Sequence, residues 1–170
     1  WNVANPAHAT QIGQPLTGPS DAVYAVAFSP DRYTLGAASA DGTIWLWNVT
    51  DPADATQIGQ PLTAATGPVE TLAFTPDGHT LAAASNDGTI RLWNLPSTVL
   101  IGPTGGVGSV AFCPDGHSLA AGSYDGKVWL WNLTDPAYAT QPGQPLTGPG
   151  GAVYSVAFSK DGHTLAGGSA

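Results

Sequence analysis

The chain of 170 residues is acidic and sparsely charged, with 4 Lys and Arg residues against 12 Asp and Glu residues and a net charge of −8. This charge argues against a nucleic-acid partner, which needs a basic surface facing its phosphates. No apolar run approaches the roughly 20 residues that cross a bilayer, and Cys113, the single cysteine, excludes an internal disulfide. We therefore expect a cytoplasmic protein that binds no membrane.

The first predicted element is a strand over residues 22–29. Its alternation places Tyr24, Val26 and Phe28 on one face and Val23, with the odd-numbered residues that follow, on the other. A Ser-Pro-Asp turn comes next at 29–31, and Arg32 then stands where the later copies of this turn have a glycine. Because that place requires a left-handed backbone, we expect strain or a different turn at Arg32.

Two further strands follow in order. The second, over 34–39, is rich in Leu and Ala, so a neighbouring sheet can approach it closely. An Asp-Gly pair between apolar runs then indicates a tight hairpin, which leads into a third strand over 43–48. Large apolar groups on both faces of this third strand predict that it is covered on both sides. A weaker fourth strand over 57–63 contains Pro61, which suits a sheet edge.

The whole unit recurs along the chain. The stretch 39–48 returns at 85–94 and 123–132, and the linker 48–62 is cut to 94–100 in its next copy. Units of about 40–45 residues with four antiparallel strands are typical of propeller blades. We predict a single array over 1–170, with a last strand and linker at 1–21, blades at 22–63, 68–101 and 106–147, and the first two strands of a split blade at 152–170.

These repeats resemble WD40-repeat proteins over the whole chain, and are most similar to bacterial tandem copies. In the first copy, the motifs that carry the resemblance lie at 23–31, 38–42 and 46–48. The resemblance implies an all-β propeller of four-stranded antiparallel blades, about four in this chain, three of them complete and one split between the termini. The implied repeat signature consists of Ser39, Asp41, Trp47, Ser85, Asp87, Trp93, Ser123, Asp125 and Trp131.

The chain departs from the family pattern in two ways. The family's Trp-Asp pair is Trp-Asn in these copies, and the Gly-His that often precedes the first strand is replaced, for example by Gly18-Pro19. The family's network of His, Ser, Asp and Trp is therefore incomplete. We expect Asp41 and its copies to bond the backbone of their own turns instead.

An open array of this kind would leave apolar blade faces uncovered. We expect one of two partners to cover these faces and complete the ring. A second copy would give a homodimer with an eight-bladed ring, in which each chain lends its N-terminal strand to the other's last blade. Further repeats of a longer chain would cover the same faces.

No set of residues predicts catalysis, a cofactor or a metal site, so we expect a protein that is not an enzyme. His79, His117 and His163 each follow an Asp-Gly pair at the same place of the repeat. This placement indicates separated surface positions rather than one convergent cluster. Cys113 stands where the other copies have Ser or Thr, and we expect an ordinary small residue there.

Partner binding is the predicted function. By resemblance, partners of the family bind just before the turn Asp and near the start of the first strand, on the top face of the ring. This places partner binding at Tyr24, Glu70, Asn86, Tyr124 and Tyr154, in a scaffold for a protein or peptide. Three alternatives stay open: these residues only fill the mouth of the ring, the propeller binds carbohydrate through Trp and Tyr, or the chain is an excised fragment that assembles without a function of its own.

Overall fold

The computed structural model describes residues 1–63, 65–93, 98–100, 102–134, 141–148 and 150–170. Within these residues the chain forms four antiparallel sheets and one short 3-10 turn at Pro6–His8. The predicted all-β fold of blade-like sheets is therefore confirmed. No described segment forms a helix with the length and apolarity needed to cross a bilayer. Residues 94–97, most of the shortened linker, lie outside the described residues.

The strands are as follows. The first sheet contains β1 (Val23–Phe28), β2 (Thr34–Ser39) and β3 (Thr43–Asn48), and both β4 (Thr56–Gln57) and β5 (Leu62–Thr63) pair with β3. The second sheet contains β6 (Val69–Phe74), β7 (Leu81–Ser85), β8 (Ile90–Trp93) and β9 (Thr98–Leu100). The third contains β10 (Val107–Phe112), β11 (Ser118–Ser123), β12 (Lys127–Asn132) and β13 (Leu146–Thr147), and the fourth contains β14 (Val153–Phe158) and β15 (Leu165–Ser169).

The sheets stack face to face through their first strands, because β1 lies next to β6, β6 next to β10, and β10 next to β14. The contacts alternate between small and branched side chains. Ala38 and Ile44 of the first sheet form one cluster with Val69 and Leu72 of the second. Equivalent clusters join the second sheet to the third and the third to the fourth. As predicted, the Ala-rich second strand allows this close approach.

The turn at Arg32 has the same geometry as its copies. The Arg32 N–H donates to the Ser29 carbonyl at 2.9 Å, as the Gly78 N–H does to Thr75 at 2.9 Å. Arg32 adopts a φ of 69°, which costs a residue with a side chain about 1 kcal/mol. The expectation of strain at Arg32 is therefore confirmed, and the alternative of a different turn is wrong.

The predicted faces of the first strand need one correction. Val23 pairs with Ser39 and Ala25 with Ala38, so Tyr24 is an extra residue in a β-bulge. Beyond the bulge, Val26 pairs with Ala37, which places Val26 on the face of Val23. Assigning Tyr24 and Val26 to one face was therefore wrong, because simple alternation assumes a strand without an inserted residue.

The N-terminal segment lies against the first sheet. Asn2 and Thr10 form a two-way backbone bridge with N···O distances of 2.7 and 3.1 Å. Trp1 and Leu16, together with Phe28 of the first sheet, line an apolar groove of about 440 Å³. Among the described strands, β14 and β15 pair only with each other, so the completion of that sheet by an N-terminal strand stays a prediction.

Candidate binding site at the top face

A β-bulge recurs at the start of the first strand in all four sheets. The residues it leaves out of the pairing are Tyr24, Glu70, Gly108 and Tyr154. A bulge residue has no partner of its own on the neighbouring strand and interrupts the strand alternation. The bulge therefore allows one residue per sheet to vary without disturbing the core. We call the end of the sheets that carries these bulges and the turns between the second and third strands the top face.

The residue before each turn Asp is tied to this bulge. The backbone N–H of Asn86 donates to the Pro68 carbonyl at 3.0 Å, and that of Tyr124 donates to Gly106 at 2.8 Å. Each bond holds the β-turn against the start of the first strand of its own sheet. The two variable positions of each repeat consequently lie side by side, as a result of backbone geometry alone.

Tyr124 occupies space that two glycines leave open. A Cβ at Gly108 would lie 2.6 Å from Cε1 of Tyr124, and a Cβ at Gly106 would lie 3.0 Å from its Cδ2. The Tyr124 ring therefore lies across its own bulge and reaches the next sheet. Its centroid is 5.5 Å from that of Tyr154, with 47° between the ring planes. Asn86 comes close to the same glycine, Gly106.

Glu70 adds a carboxylate to the residues at the top face. Its side chain is half-buried, and burial is the cause that raises the pKa of Glu70 above its ordinary value. The pKa of Tyr124 is raised by burial first and then by the negative charge of Glu70. The carboxylate thus lies within electrostatic reach of the Tyr124 ring.

Four of the five residues predicted for the top face are therefore brought together. Glu70, Asn86, Tyr124 and Tyr154 come from three consecutive sheets, and we call them the tyrosine cluster. Tyr24 lies at the bulge of the first sheet and is 52% exposed. Since Tyr124 belongs to the third sheet, Tyr24 is separated from it by the second sheet. Whether these residues bind a partner stays a prediction.

The signature Asp residues hold the turns of the same face. Asp41 accepts from the Thr43 N–H at 3.0 Å within its own turn, as predicted. Its other oxygen accepts from the backbone N–H and the hydroxyl of Ser20 at 2.9 and 2.8 Å. In the copies, Thr66 donates both bonds to Asp87 and Thr104 donates both to Asp125. Each Asp thereby binds the loop that precedes the first strand of its sheet to the turn between the second and third strands.

Sequence patterns did not lead us to predict these hydroxyl groups as partners of the turn Asp residues. Ser20, Thr66 and Thr104 share one place of the repeat, and the 46- and 38-residue spacing of the repeats could have revealed them. Burial alone would raise the pKa of Asp87 and Asp125, but hydrogen bonds from Thr and Ser outweigh it and lower both values. The same balance lowers the pKa of Asp41.

The tryptophans beside these turns pack against the sheets. Trp45 stacks on Trp47 at 6.2 Å between centroids, and its Nε1–H donates to the Thr43 hydroxyl at 2.9 Å. Trp129 stacks on Trp131 in the same way at 6.4 Å. Trp47 and Trp131 are 5% and 3% exposed. These indoles are occupied by packing within the sheets.

The third sheet lacks the hydrogen bond that the first sheet forms between a tryptophan Nε1–H and a hydroxyl group. Lys127 stands where the first sheet has Thr43, so the hydroxyl acceptor is lost. Among the described residues, none accepts a hydrogen bond from the buried Nε1–H of Trp129. The Lys127 ammonium instead lies 5.7 Å from the Trp129 ring centroid.

Within the part of the chain that the structure describes, the other reactive side chains form no convergent site. His79 and His117 are exposed at separate turns, and no described group of three or more His, Cys, Asp or Glu residues is arranged to hold a metal ion. Cys113 is buried, and burial is the main cause that raises the pKa of its thiol. A raised pKa keeps the thiol protonated and unreactive.

Comparison with known proteins agrees with this architecture. A family model described as WD domain, G-beta repeat matches residues 10–48, 57–94, 95–132 and 140–170. The matched segments cover most of the chain, and the first three end at the Asn of a Trp-Asn pair. No curated protein matches the chain.

Proposed function

Because the chain belongs to the WD40-repeat family, we propose that it is a non-catalytic scaffold that binds a protein or peptide at its top face. Repeats of this family generally serve as interaction scaffolds. The observation that carries the proposal is the convergence of Glu70, Asn86, Tyr124 and Tyr154 from three sheets onto one surface. The backbone there is the same from sheet to sheet, while the side chains differ.

The chemistry of the tyrosine cluster suits an interface. Tyr154 is 56% exposed although it contacts Tyr124. A tyrosine ring offers apolar area that loses little conformational freedom on binding, and its hydroxyl offers a hydrogen bond. Asn86 adds an amide that both donates and accepts. Together they provide an aromatic anchor with polar groups at its rim, as binding hot spots do.

We also propose that a further blade covers the open face of the first sheet. Val23, Val26 and Phe28 are 47%, 63% and 64% exposed there, whereas Val69 and Leu72, at the places of Val23 and Val26, are 0% and 6% exposed. A second copy in an eight-bladed ring, or further repeats of a longer chain, would supply the missing neighbour. Light scattering at increasing concentration tests the homodimer, and a mass that stays at 17.2 kDa would exclude it.

The carbohydrate-binding alternative has less support. A sugar platform needs exposed aromatic faces, and Trp129 is 8% exposed and stacked on Trp131. Trp45 is covered by the incoming loop, since a Cβ at Gly18 would lie 2.4 Å from its ring. The exposed aromatic rings of the described residues are Trp1, Tyr24, Phe28, Tyr33 and Tyr154, so the stacked tryptophans of the repeat are not available to a sugar.

Selection from a displayed library of random peptides tests the main proposal. We expect selected peptides to bind the chain, and Tyr124→Ala with Tyr154→Ala to weaken them about tenfold or more. Tyr33→Ala is the control, because Tyr33 is similarly exposed, at 57%, but lies at the opposite end of the sheets. Equal loss in the control, or no selectable peptide, would overturn the proposal.

A further inference from the structure

The geometry points to a cationic side chain, the Lys or Arg of a peptide, as the group that the tyrosine cluster accepts. This inference builds on the proposed function and specifies the chemistry of the partner. It depends on two features of the top face: an aromatic pair with open ring surface, and a half-buried carboxylate that forms no ion pair with any described residue.

The aromatic pair is shaped for a cation. Tyr124 and Tyr154 meet at 47°, so their rings form a tilted wedge rather than a closed stack. The negative face of each ring attracts a cation that lies within about 6 Å of its centroid. A guanidinium or an ammonium on a long stem can enter such a wedge, and its apolar stem can lie along the rings.

Glu70 provides the complementary charge. Glu70 is half-buried, and none of the described residues donates a hydrogen bond to its carboxylate or forms an ion pair with it. A half-buried carboxylate without such a partner is unfavourable. An arriving cation would relieve this cost, whereas an apolar group would increase it. Tyr124 lies against Tyr154, and Glu70 occupies the bulge of the neighbouring second sheet, so one cation can be attracted by the carboxylate and the rings together.

The chain's own cations do not fill this role. Arg91 donates to the Thr89 hydroxyl at 2.7 Å and lies 3.8 Å from Asp87. Lys127 is placed over Trp129. Arg32 and Lys160 belong to the turns after β1 and β14, which a strand of six residues separates from the top face by about 20 Å. The net charge of −8 further favours the approach of a cationic peptide.

The test uses an acetylated Gly-Arg-Gly amide and its citrulline counterpart, which has nearly the same shape without the charge. In a titration followed by amide ¹H–¹⁵N spectra, we expect shifts at the tyrosine cluster and binding of the arginine peptide about fivefold or more tighter. Glu70→Gln should remove most of this preference. Gly108→Ala should weaken the arginine peptide without removing a polar group, because the new Cβ displaces the Tyr124 ring.

The outcomes separate the two proposals. Equal binding of the arginine and citrulline peptides, or an unchanged preference in Glu70→Gln, would overturn the cation inference. Library peptides that lack Lys and Arg, and still depend on Tyr124 and Tyr154, would overturn it too and leave the proposed scaffold function standing. Failure of every peptide in the library would overturn the scaffold function itself. Tyr33→Ala should leave all affinities unchanged.

Discussion

One position of the repeat offers a matched test of blade stacking. Val26, Val110 and Val156 occupy the same place in the first, third and fourth sheets, and the change is Val→Ala at each. Val110 and Val156 are 7% and 6% exposed, whereas Val26 is 63% exposed. The three variants remove the same atoms from the same backbone geometry. Any difference in their stability therefore measures the neighbouring sheet.

The expected loss in the free energy of unfolding follows from the exposed fractions of the three valines. Removing two methyl groups from a buried site costs about 1.6 kcal/mol in transfer free energy, and the cavity left behind adds to it. We expect a loss of about 1.5–2.5 kcal/mol for Val110→Ala and Val156→Ala. Scaled by its smaller buried fraction, Val26→Ala should cost about 0.6 kcal/mol.

Urea unfolding measures these values, at a concentration at which light scattering shows a single chain. The comparison is valid where the variants share one m-value. A Val26→Ala variant as costly as Val110→Ala under these conditions would refute the stacking argument. If a second copy covers the first sheet, the cost of Val26→Ala should rise with protein concentration, while the cost of Val156→Ala reflects the third sheet at every concentration.

Three further predictions concern single residues. Lys127→Thr should restore an acceptor for Trp129 and raise the free energy of unfolding by about 1 kcal/mol; a lower urea midpoint would contradict it. Arg32→Gly should relieve the left-handed strain and, after the added freedom of the unfolded chain, stabilise by about 0.5 kcal/mol, again read from the urea midpoint. Asp87 has a lowered pKa, so its contribution to stability is present above the ordinary pKa and lost as the pH falls through the folded value. The stability difference between the wild type and Asp87→Asn should therefore shrink below about pH 4, and a constant difference would contradict this.

Much of the fold could be predicted from local patterns. Turn residues and apolar runs place β2 and β3 at the predicted bounds, 34–39 and 43–48, because an Asp-Gly pair limits the hairpin to few conformations. The prediction of one fourth strand over 57–63 was wrong, since two short strands, β4 and β5, pair separately with β3. Weak strands at a sheet edge depend on tertiary contacts that local composition does not encode.

The site could be predicted only in part. The variable positions were identified by comparing the copies, but the bulge that aims Glu70 and Tyr154 was not. Tyr24, Val26 and Phe28 alternate as in a regular strand, and the hint of an inserted residue is the three-residue step between branched side chains, as from Val69 to Leu72 and from Val107 to Val110. The contact of Tyr124 with Tyr154 also depends on the space above Gly106 and Gly108 and on a residue of the next sheet, which local patterns do not reveal.

The most direct test of the top face as the binding surface is amide hydrogen exchange of the chain with a library-selected peptide. The account predicts slower exchange at the bulges, residues 69–71, 107–109 and 153–155, and in the Asn86 and Tyr124 turns. Exchange in the opposite turns, 30–33 and 160–163, should stay unchanged. Slower exchange confined to those opposite turns would contradict the account.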